Sequence, residues 1–180
     1  MNILESYYKK VIRYDLINKF FYRNLNKIPE LKKIILNFGC NKNLSVKNIA
    51  ASFLALELIT GKQGIITKSK RVNILLKVKK GNPVGCIVIL KKTSMYCFFL
   101  KLITQIFPNF DKDFKGINIP KRSNYKSFSL TLTDLTNFKE LEKQFYLFKD
   151  LPPLNIVFIT NINSRKELIF LLNSFKLFLY

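Results

Sequence analysis

The feature that most constrains this chain is a basic stretch with no acidic residue. Residues 60–92 contain no aspartate or glutamate. Nine cationic side chains lie in it, namely Lys62, Lys68, Lys70, Arg71, Lys77, Lys79, Lys80, Lys91 and Lys92. Because like charges repel, the segment must hold these side chains in solvent, and a polyanion bound there would stabilise it. We therefore expect a strand-loop-strand unit that presents its cations to a polyanionic partner.

The composition of the whole chain is that of a folded cationic protein. Its 180 residues carry 31 Lys and Arg against 11 Asp and Glu, a formal net charge of +20. The apolar content of 48%, with 17 Phe and 8 Tyr, is enough for a real core and excludes a disordered basic tail. No histidine is present, which excludes Ser-His and Cys-His nucleophile pairs and every histidine-containing zinc site.

Cysteine spacing and hydropathy exclude further classes. Cys40, Cys86 and Cys97 show no C-x-x-C spacing, so we expect small buried apolar residues, no metal site and no cofactor. No apolar run approaches the roughly 20 residues that a membrane-spanning helix needs. The amphipathic N-terminal segment contains Glu5 and Asp15, so we expect it to belong to the mature domain and not to a cleaved presequence.

Helical periodicity predicts four helices. The first has an apolar stripe of Tyr8, Val11, Ile12, Leu16 and Phe20. The second, Val46 to Thr60, buries Ile49, Ala50, Phe53 and Leu56 and stops at Gly61. The third begins at Ser94 as N-cap, ends at Pro108 and buries Met95, Phe98, Phe99, Leu102, Ile103 and Ile106. The last opens on a capping box of Ser164 and Glu167 and buries Leu168, Leu171, Leu172 and Phe175.

Alternating or continuous apolar runs predict the strands. They cover LKKIILNFG at 31–39, CIVIL at 86–90, the alternation of Phe128, Leu130 and Leu132, and LNIVFITN at 154–161. Residues 65–80 read as a basic loop or strand, and KGNPVG at 80–85 as a turn. Residues 137–148 are ambiguous. With no internal repeat or linker, these elements predict a single α+β domain over 1–180.

The order of several motifs then resembles a known family. The motifs are YYKK at 7–10, IPELKKIILNFG at 28–39, TGKQGIITKSK at 60–70, KKGNPVGC at 79–86, FKGI at 114–117, SNY at 123–125 and LNIVFITNINSRKELIFLLNSF at 154–175. Together the chain resembles the universal large-subunit ribosomal protein five family, the 5S rRNA-binding proteins of the central protuberance. The resemblance covers almost the whole chain and implies an antiparallel β-sheet backed by helices, in a structural constituent of the large ribosomal subunit.

The resemblance also implies site residues and partners. The sheet and nearby loops hold 5S rRNA through positions that match Asn37, Gln63, Thr67 and Lys68, to which we add the cations Lys70, Arg71 and Lys91. The loop 77–85 approaches the peptidyl-site (P-site) tRNA, and its tRNA-facing residues are Lys77, Lys79, Lys80, Gly81, Asn82 and Pro83. Further partners are small-subunit ribosomal protein thirteen, in an intersubunit bridge, and neighbouring proteins of the central protuberance.

Three departures separate this chain from the family pattern. Ile87 and Ile89 stand where the family usually offers a Lys and a Thr to the RNA. The Gly/Arg-rich stretch around the Asn-Tyr pair is reduced to KRSNYKS, and TDLTNFKELEKQF replaces a phenylalanine-proline-glutamate motif. The RNA held here is then either 5S rRNA or a segment that takes its position.

The composition also bears on the compartment. Residues with A/T-rich codons, Lys, Asn, Ile and Phe, dominate the sequence. With the departures and an N-terminus that opens on the family's first helix, this bias predicts a mitochondrial ribosome. A plastid or the bacterial cytoplasm is the alternative.

Two other function classes compete with a non-catalytic ribosomal role. Asp111 and Asp113 would be the metal-binding pair of an RNA-acting enzyme, although two carboxylates make a poor Mg²⁺ site. The net charge would also suit a peripheral protein on an anionic membrane. We expect neither and predict that the protein is not an enzyme.

Overall fold

The computed structural model describes residues 2–39, 46–72, 74, 78–109, 125–135, 137–149 and 151–175. The chain divides into two compact units. Unit 1 comprises Met1–Ile34, Leu90–Leu130 and Val157–Tyr180. Unit 2 comprises Ile35–Ile89 and Thr131–Ile156. The single domain over 1–180 stays a prediction.

Five strands form one sheet. They are β1 (Leu31–Phe38), β2 (Ile65–Lys68), β3 (Pro83–Lys91), β4 (Ser127–Leu132) and β5 (Leu154–Thr160), in the order β2-β3-β1-β5-β4. Strands β2 and β3 are antiparallel. The backbone N–H of Thr160 bonds to the carbonyl of Lys126, and that of Asn161 to Glu30, so the end of β5 meets the starts of β4 and β1. The predicted α+β fold with an antiparallel sheet is confirmed.

Helical elements account for most of the other described residues. The α-helices are α1 (Ile3–Tyr7), α2 (Arg13–Phe20), α3 (Val46–Thr60), α4 (Lys92–Lys101), α5 (Lys139–Glu142), α6 (Phe145–Phe148) and α7 (Arg165–Ser174). Tyr8–Ile12 and Leu102–Ile106 are π-helical, and Leu25–Lys27 and Phe107–Asn109 are 3₁₀ turns. The ambiguous residues 137–148 thus contain two short helices. No helix within the described ranges is long and apolar enough to cross a membrane.

Each long strand alternates between a buried and a more exposed face. The buried residues of β1 are Ile34, Leu36 and Phe38, and those of β4 are Phe128, Leu130 and Leu132. In unit 2, Cys86 on β3 points at α3, because its thiol donates to the carbonyl of Ile49 at 3.5 Å. The intervening residues of these strands therefore share the opposite face, which we call the open face.

The core of unit 1 is rich in aromatic rings. Phe158 on β5 stacks on Phe128 with a centroid distance of 4.7 Å and meets Phe99 edge-on at 5.8 Å. Phe175 packs edge-on against Phe99 at 5.1 Å and lies against Tyr8 at 6.3 Å. Such pairs stabilise by about 0.5–1.5 kcal/mol each beyond their buried area, so this unit has a well-specified interior.

Two predicted helix faces need correction. In the first helical segment Leu4, Tyr8, Ile12 and Leu16 are buried at a constant spacing of four, whereas Val11 is exposed. The π-helical turn Tyr8–Ile12 explains this, since its wider pitch rotates Val11 out of the stripe. In α3 the buried stripe is Ser52, Ala55, Leu56 and Ile59. Ile49 and Phe53 are half-buried and Ala50 is exposed.

Both predicted N-caps are also wrong. Helix α4 begins at Lys92, and the Ser94 hydroxyl donates to the carbonyl of Lys91 at 2.8 Å, so it accepts no capping bond. Ser164 occupies the N-cap position of α7 but makes no side-chain cap bond. The helix starts instead on backbone bonds, such as that from Leu168 to the Ser164 carbonyl at 3.2 Å.

The cysteine prediction holds for one residue. Cys86 is buried, and burial raises the pKa of its thiol. Cys97 is exposed on α4, contrary to the expectation of a buried apolar residue. Cys40 lies outside the described residues.

Candidate nucleic-acid interface

The basic stretch of the sequence builds a hairpin in unit 2. Register pairs Ile65 with Ile87 and Thr67 with Gly85, and an irregularity follows between Thr67 and Lys68. Beyond the strands, the N–H of Ser69 bonds to the Asn82 carbonyl at 2.8 Å, and the N–H of Gly81 to the Ser69 carbonyl at 2.9 Å. These bonds hold the base of the loop 70–80.

A turn closes the far side of this loop. The N–H of Asn82 bonds to the Lys79 carbonyl at 3.2 Å, and Gly81 has φ +90°. A positive φ at the third position is what a type II turn reserves for glycine. Lys79 and Lys80 are thereby exposed at the turn. A turn at Gly81 and Asn82 is confirmed, but Pro83 to Gly85, which we also expected in the turn and loop, belong to β3.

Gly85 is where β3 approaches β1 most closely. A Cβ atom at this position would collide with the carbonyl oxygen of Phe38 and lie 3.3 Å from the Thr67 hydroxyl oxygen. Only a glycine admits that approach without a shift of backbone. It brings the Thr67 side chain beside the end of β1, where Asn37 precedes Phe38 on the open face and is half-buried.

The connection from α3 to β2 adds further polar groups. Gln63 is exposed there. Its neighbour Lys62 donates from Nζ to the Ile89 carbonyl at 3.0 Å, which places an ammonium group on β3. Lys62 was counted in the basic stretch but not among the site residues, and the bond explains why sequence alone missed it. The partner is 27 positions away.

The remaining predicted cations are dispersed. Lys68, Lys70 and Arg71 are exposed in unit 2 along the hairpin. Lys91 is exposed at the last residue of β3 and belongs to unit 1. Lys77 lies outside the described residues, as do Asp111 and Asp113, so no carboxylate pair can be examined there.

Aliphatic side chains share the open face with these polar groups. Ile87 and Ile89, which replace polar residues of the family pattern, are half-buried, and Ile65 opposite Ile87 is 61% exposed. The interface is therefore amphipathic. Cations line its hairpin, and an isoleucine strip crosses β2 and β3.

Comparison with known proteins decides the family. A family model that describes the C-terminus of the ribosomal protein uL5 family matches residues 83–178. Large ribosomal subunit protein uL5m of Reclinomonas americana is 38% identical over 178 residues, which cover 98% of this chain and 97% of that protein. This chain belongs to the uL5 family. Within that family, uL5c of Stigeoclonium helveticum is 34% identical over 175 residues, covering 97% of this chain and 96% of that protein.

The likeness extends to bacterial members of the uL5 family. The uL5 protein of Wigglesworthia glossinidia brevipalpis is 32% identical over 173 residues, covering 96% of both chains. The predicted membership of the family, and with it the structural role in the large ribosomal subunit, is confirmed. The individual rRNA and tRNA contacts stay predictions.

Proposed function

We propose that this protein binds rRNA in the central protuberance of the large subunit, with the β2–β3 hairpin and the open face of unit 2 as its main contact surface. The rRNA is 5S rRNA or the segment that replaces it. The residues proposed to bind it are Asn37, Gln63, Thr67, Lys68, Lys70, Arg71 and Lys91. The observation that carries this proposal is the hairpin, where acid-free sequence, exposed cations and polar open-face residues coincide.

The hairpin loop supports a second contact in the same proposal. Its cations Lys79 and Lys80 are exposed beside a turn that is fixed by backbone bonds. Lysine is a compact charge that suits phosphates in any sequence context. We therefore assign residues 77–82, and the strand start at Pro83, to the elbow of the P-site tRNA.

The partners and compartment follow the family. A central-protuberance position implies an intersubunit bridge with small-subunit ribosomal protein thirteen and contacts with neighbouring large-subunit proteins. The mitochondrion is supported by the 38% identity to uL5m, the mitochondrial form, and by the A/T-biased composition. The protein acts by adhesion and positioning and not as an enzyme.

Salt dependence of RNA binding tests this proposal. With about 6–10 phosphate contacts, the affinity of the full chain for a central-protuberance rRNA fragment should fall roughly 10³- to 10⁵-fold between 50 and 200 mM salt. A Lys79→Ala, Lys80→Ala double variant should lose about two units of the log-log salt slope. A flat salt response of the unmodified chain would contradict the proposal.

The matched control removes the same charge elsewhere in unit 2. Lys139 and Lys143 are exposed lysines beside Glu140 and Glu142, away from the hairpin in sequence. Replacing both with Ala should leave the salt slope within about half a unit of the unmodified chain. An equal loss in both double variants would mean that only net charge matters, and would sink the assignment to the hairpin.

A further inference from the structure

A polar cavity of about 350 Å³ lies in unit 1, away from the residues assigned above. The start of the first helical segment, the 3₁₀ turn Leu25–Lys27 and the start of β1 enclose it. The side chains used below are Lys9, Arg13, Leu25, Asn26, Glu30 and Lys32. Its volume is at the lower end of the roughly 300–1,000 Å³ typical of small-molecule sites. The cavity is therefore large enough for one small polar ligand.

Three cations converge on this cavity. Lys9 and Arg13 come from successive turns of the first helical segment, and Lys32 comes from β1. Lys9 is paired with Glu5 at 2.7 Å, which leaves Arg13 and Lys32 as the cations available to a ligand. Two uncompensated positive charges at one cavity repel each other unless an anion lies between them. The planar guanidinium of Arg13 matches the oxygens of a phosphate group.

The opposite part of the lining differs in chemistry. Leu25 is 67% exposed, Asn26 offers an amide, and Glu30 offers a carboxylate. Burial raises the pKa of Tyr8 at the floor above its ordinary value, with Glu30 raising it further and Arg13 lowering it. Both charges therefore act on the same floor from different sides. A ligand here meets cations, an apolar surface and a hydrogen-bond acceptor together.

This lining is held in place by one distant side chain. The amide nitrogen of Asn161 donates to the Ile28 carbonyl at 2.8 Å and to the Asn26 carbonyl at 3.4 Å. Its side-chain oxygen accepts from the N–H of Glu30 at 2.7 Å. The Tyr8 hydroxyl donates to the Pro29 carbonyl at 2.7 Å. The loop is thus organised before any ligand arrives, which lowers the entropic cost of binding.

We propose that this cavity binds one unstacked guanine nucleotide of an RNA strand. Arg13 and Lys32 hold the phosphate, and Leu25 covers one side of the base. The two oxygens of the Glu30 carboxylate accept from the adjacent N1–H and N2–H₂ donors of guanine, a match that the other bases lack. Unstacked bases read at their edges are the usual targets of sequence-specific RNA recognition. The assignment to RNA rests on the proposed function above.

Titration of the full chain with nucleotides tests the proposal. Guanosine 5′-monophosphate should bind at least about tenfold more tightly than the adenosine, cytidine and uridine monophosphates and than inorganic phosphate. A short single-stranded oligoribonucleotide with one guanine should bind more tightly than the free nucleotide. Equal affinity for phosphate alone would overturn the base assignment, and no gain from the oligoribonucleotide would overturn RNA as the source.

Variants locate the site. Lys32→Ala should weaken binding of the guanosine monophosphate about tenfold, since a charge-assisted contact is lost. Lys10→Ala removes the same charge from an exposed position outside the lining and should leave binding unchanged. Glu30→Gln should abolish the preference for guanine while keeping affinity for phosphate. Lys32 is exposed on β1, so its replacement is expected to keep the fold, which thermal melting checks.

The outcomes separate this inference from the proposed function. If Lys32→Ala and Lys10→Ala bind the guanine nucleotide equally, the cavity is not its site, and the inference fails even when the hairpin variant still loses rRNA affinity. If the hairpin variant keeps full rRNA affinity while Lys32→Ala loses guanine binding, the proposed contact surface fails and the cavity stands.

Discussion

The aromatic core of unit 1 and the hairpin of unit 2 use side chains in opposite ways. In unit 1, Phe158 is fully buried between two other rings. In the hairpin, Ile65 and the neighbouring cations are exposed, and the backbone is held mainly by bonds such as Ser69 to Asn82. Stability therefore resides in the first region, whereas the second holds its shape through backbone geometry and leaves its side chains for a partner.

The sharpest test of this contrast is Phe158→Ala. The variant should lose about 3–5 kcal/mol of the free energy of unfolding, because it leaves a cavity between Phe99 and Phe128. Urea denaturation measures the loss. Phe21→Ala is the control, since that ring is 84% exposed and its removal should cost little. Equal losses in both would show that the aromatic core is not the source of stability.

The next test addresses backbone geometry in unit 2. Gly85→Ala should cost about 1–3 kcal/mol, because the new methyl group collides with the Phe38 carbonyl and the strands must shift. Denaturant unfolding again reports the change. Gly39→Ala adds the same methyl group where no atom lies within 4 Å, and should be neutral. A neutral Gly85→Ala would mean that the close approach of β3 to β1 does not constrain the hairpin.

A smaller effect is expected from the buried hydroxyl of unit 1. Tyr8→Phe removes the bond to Pro29 and should cost about 0.5–1.5 kcal/mol at neutral pH. Burial also raises the pKa of Tyr8 above the value near 10 of an unfolded chain. The native state thus keeps a proton that the unfolded state releases above pH 10, so stability falls as the pH rises beyond that value.

Denaturant midpoints between pH 8 and 11 check this dependence. The decline above pH 10 should be shallower in Tyr8→Phe than in the unmodified chain, although burial also raises the pKa of Tyr96, so part of the decline persists. Lysine titration contributes equally to both proteins. Identical slopes would contradict a role for the Tyr8 proton.

The smallest expected change is in the stability of the hairpin variant. Replacing Lys79 and Lys80 with Ala should shift the free energy of unfolding by no more than about 0.5 kcal/mol, since both side chains are exposed. Thermal melting should move by about 1–2 °C. A larger loss would show that the hairpin cations hold the fold, which would break the contrast between the two regions.

The strands were predictable because their signal is local. The alternation of Phe128, Leu130 and Leu132 names the buried face of β4 directly. The errors arose where a local pattern was overruled. A π-helical turn displaced Val11, and Ser52 entered the buried stripe of α3 because its hydroxyl donates to the Asn48 carbonyl at 2.7 Å. Neither event leaves a mark in apolar periodicity.

The candidate site was predictable in chemistry but not in geometry. The absence of acids in 60–92 marks the hairpin in any reading of the sequence. Gly85, however, reads as a turn residue beside Pro83, and only the approach of Phe38 shows why a strand needs glycine there. The cavity in unit 1 depends on Asn161, which bonds to residues more than 130 positions earlier. No local pattern signals such a contact.

The Asn161 bonds also bear on how the protein is made. Residues 26–30 leave the synthesising ribosome long before Asn161, so their final arrangement waits until β5 and the residue after it have been translated. The N-terminal loop is among the first parts of the chain to appear and among the last to reach its native form. A nascent chain truncated before position 161 would present the cations of its first helix without the ordered lining that gives them a selective ligand.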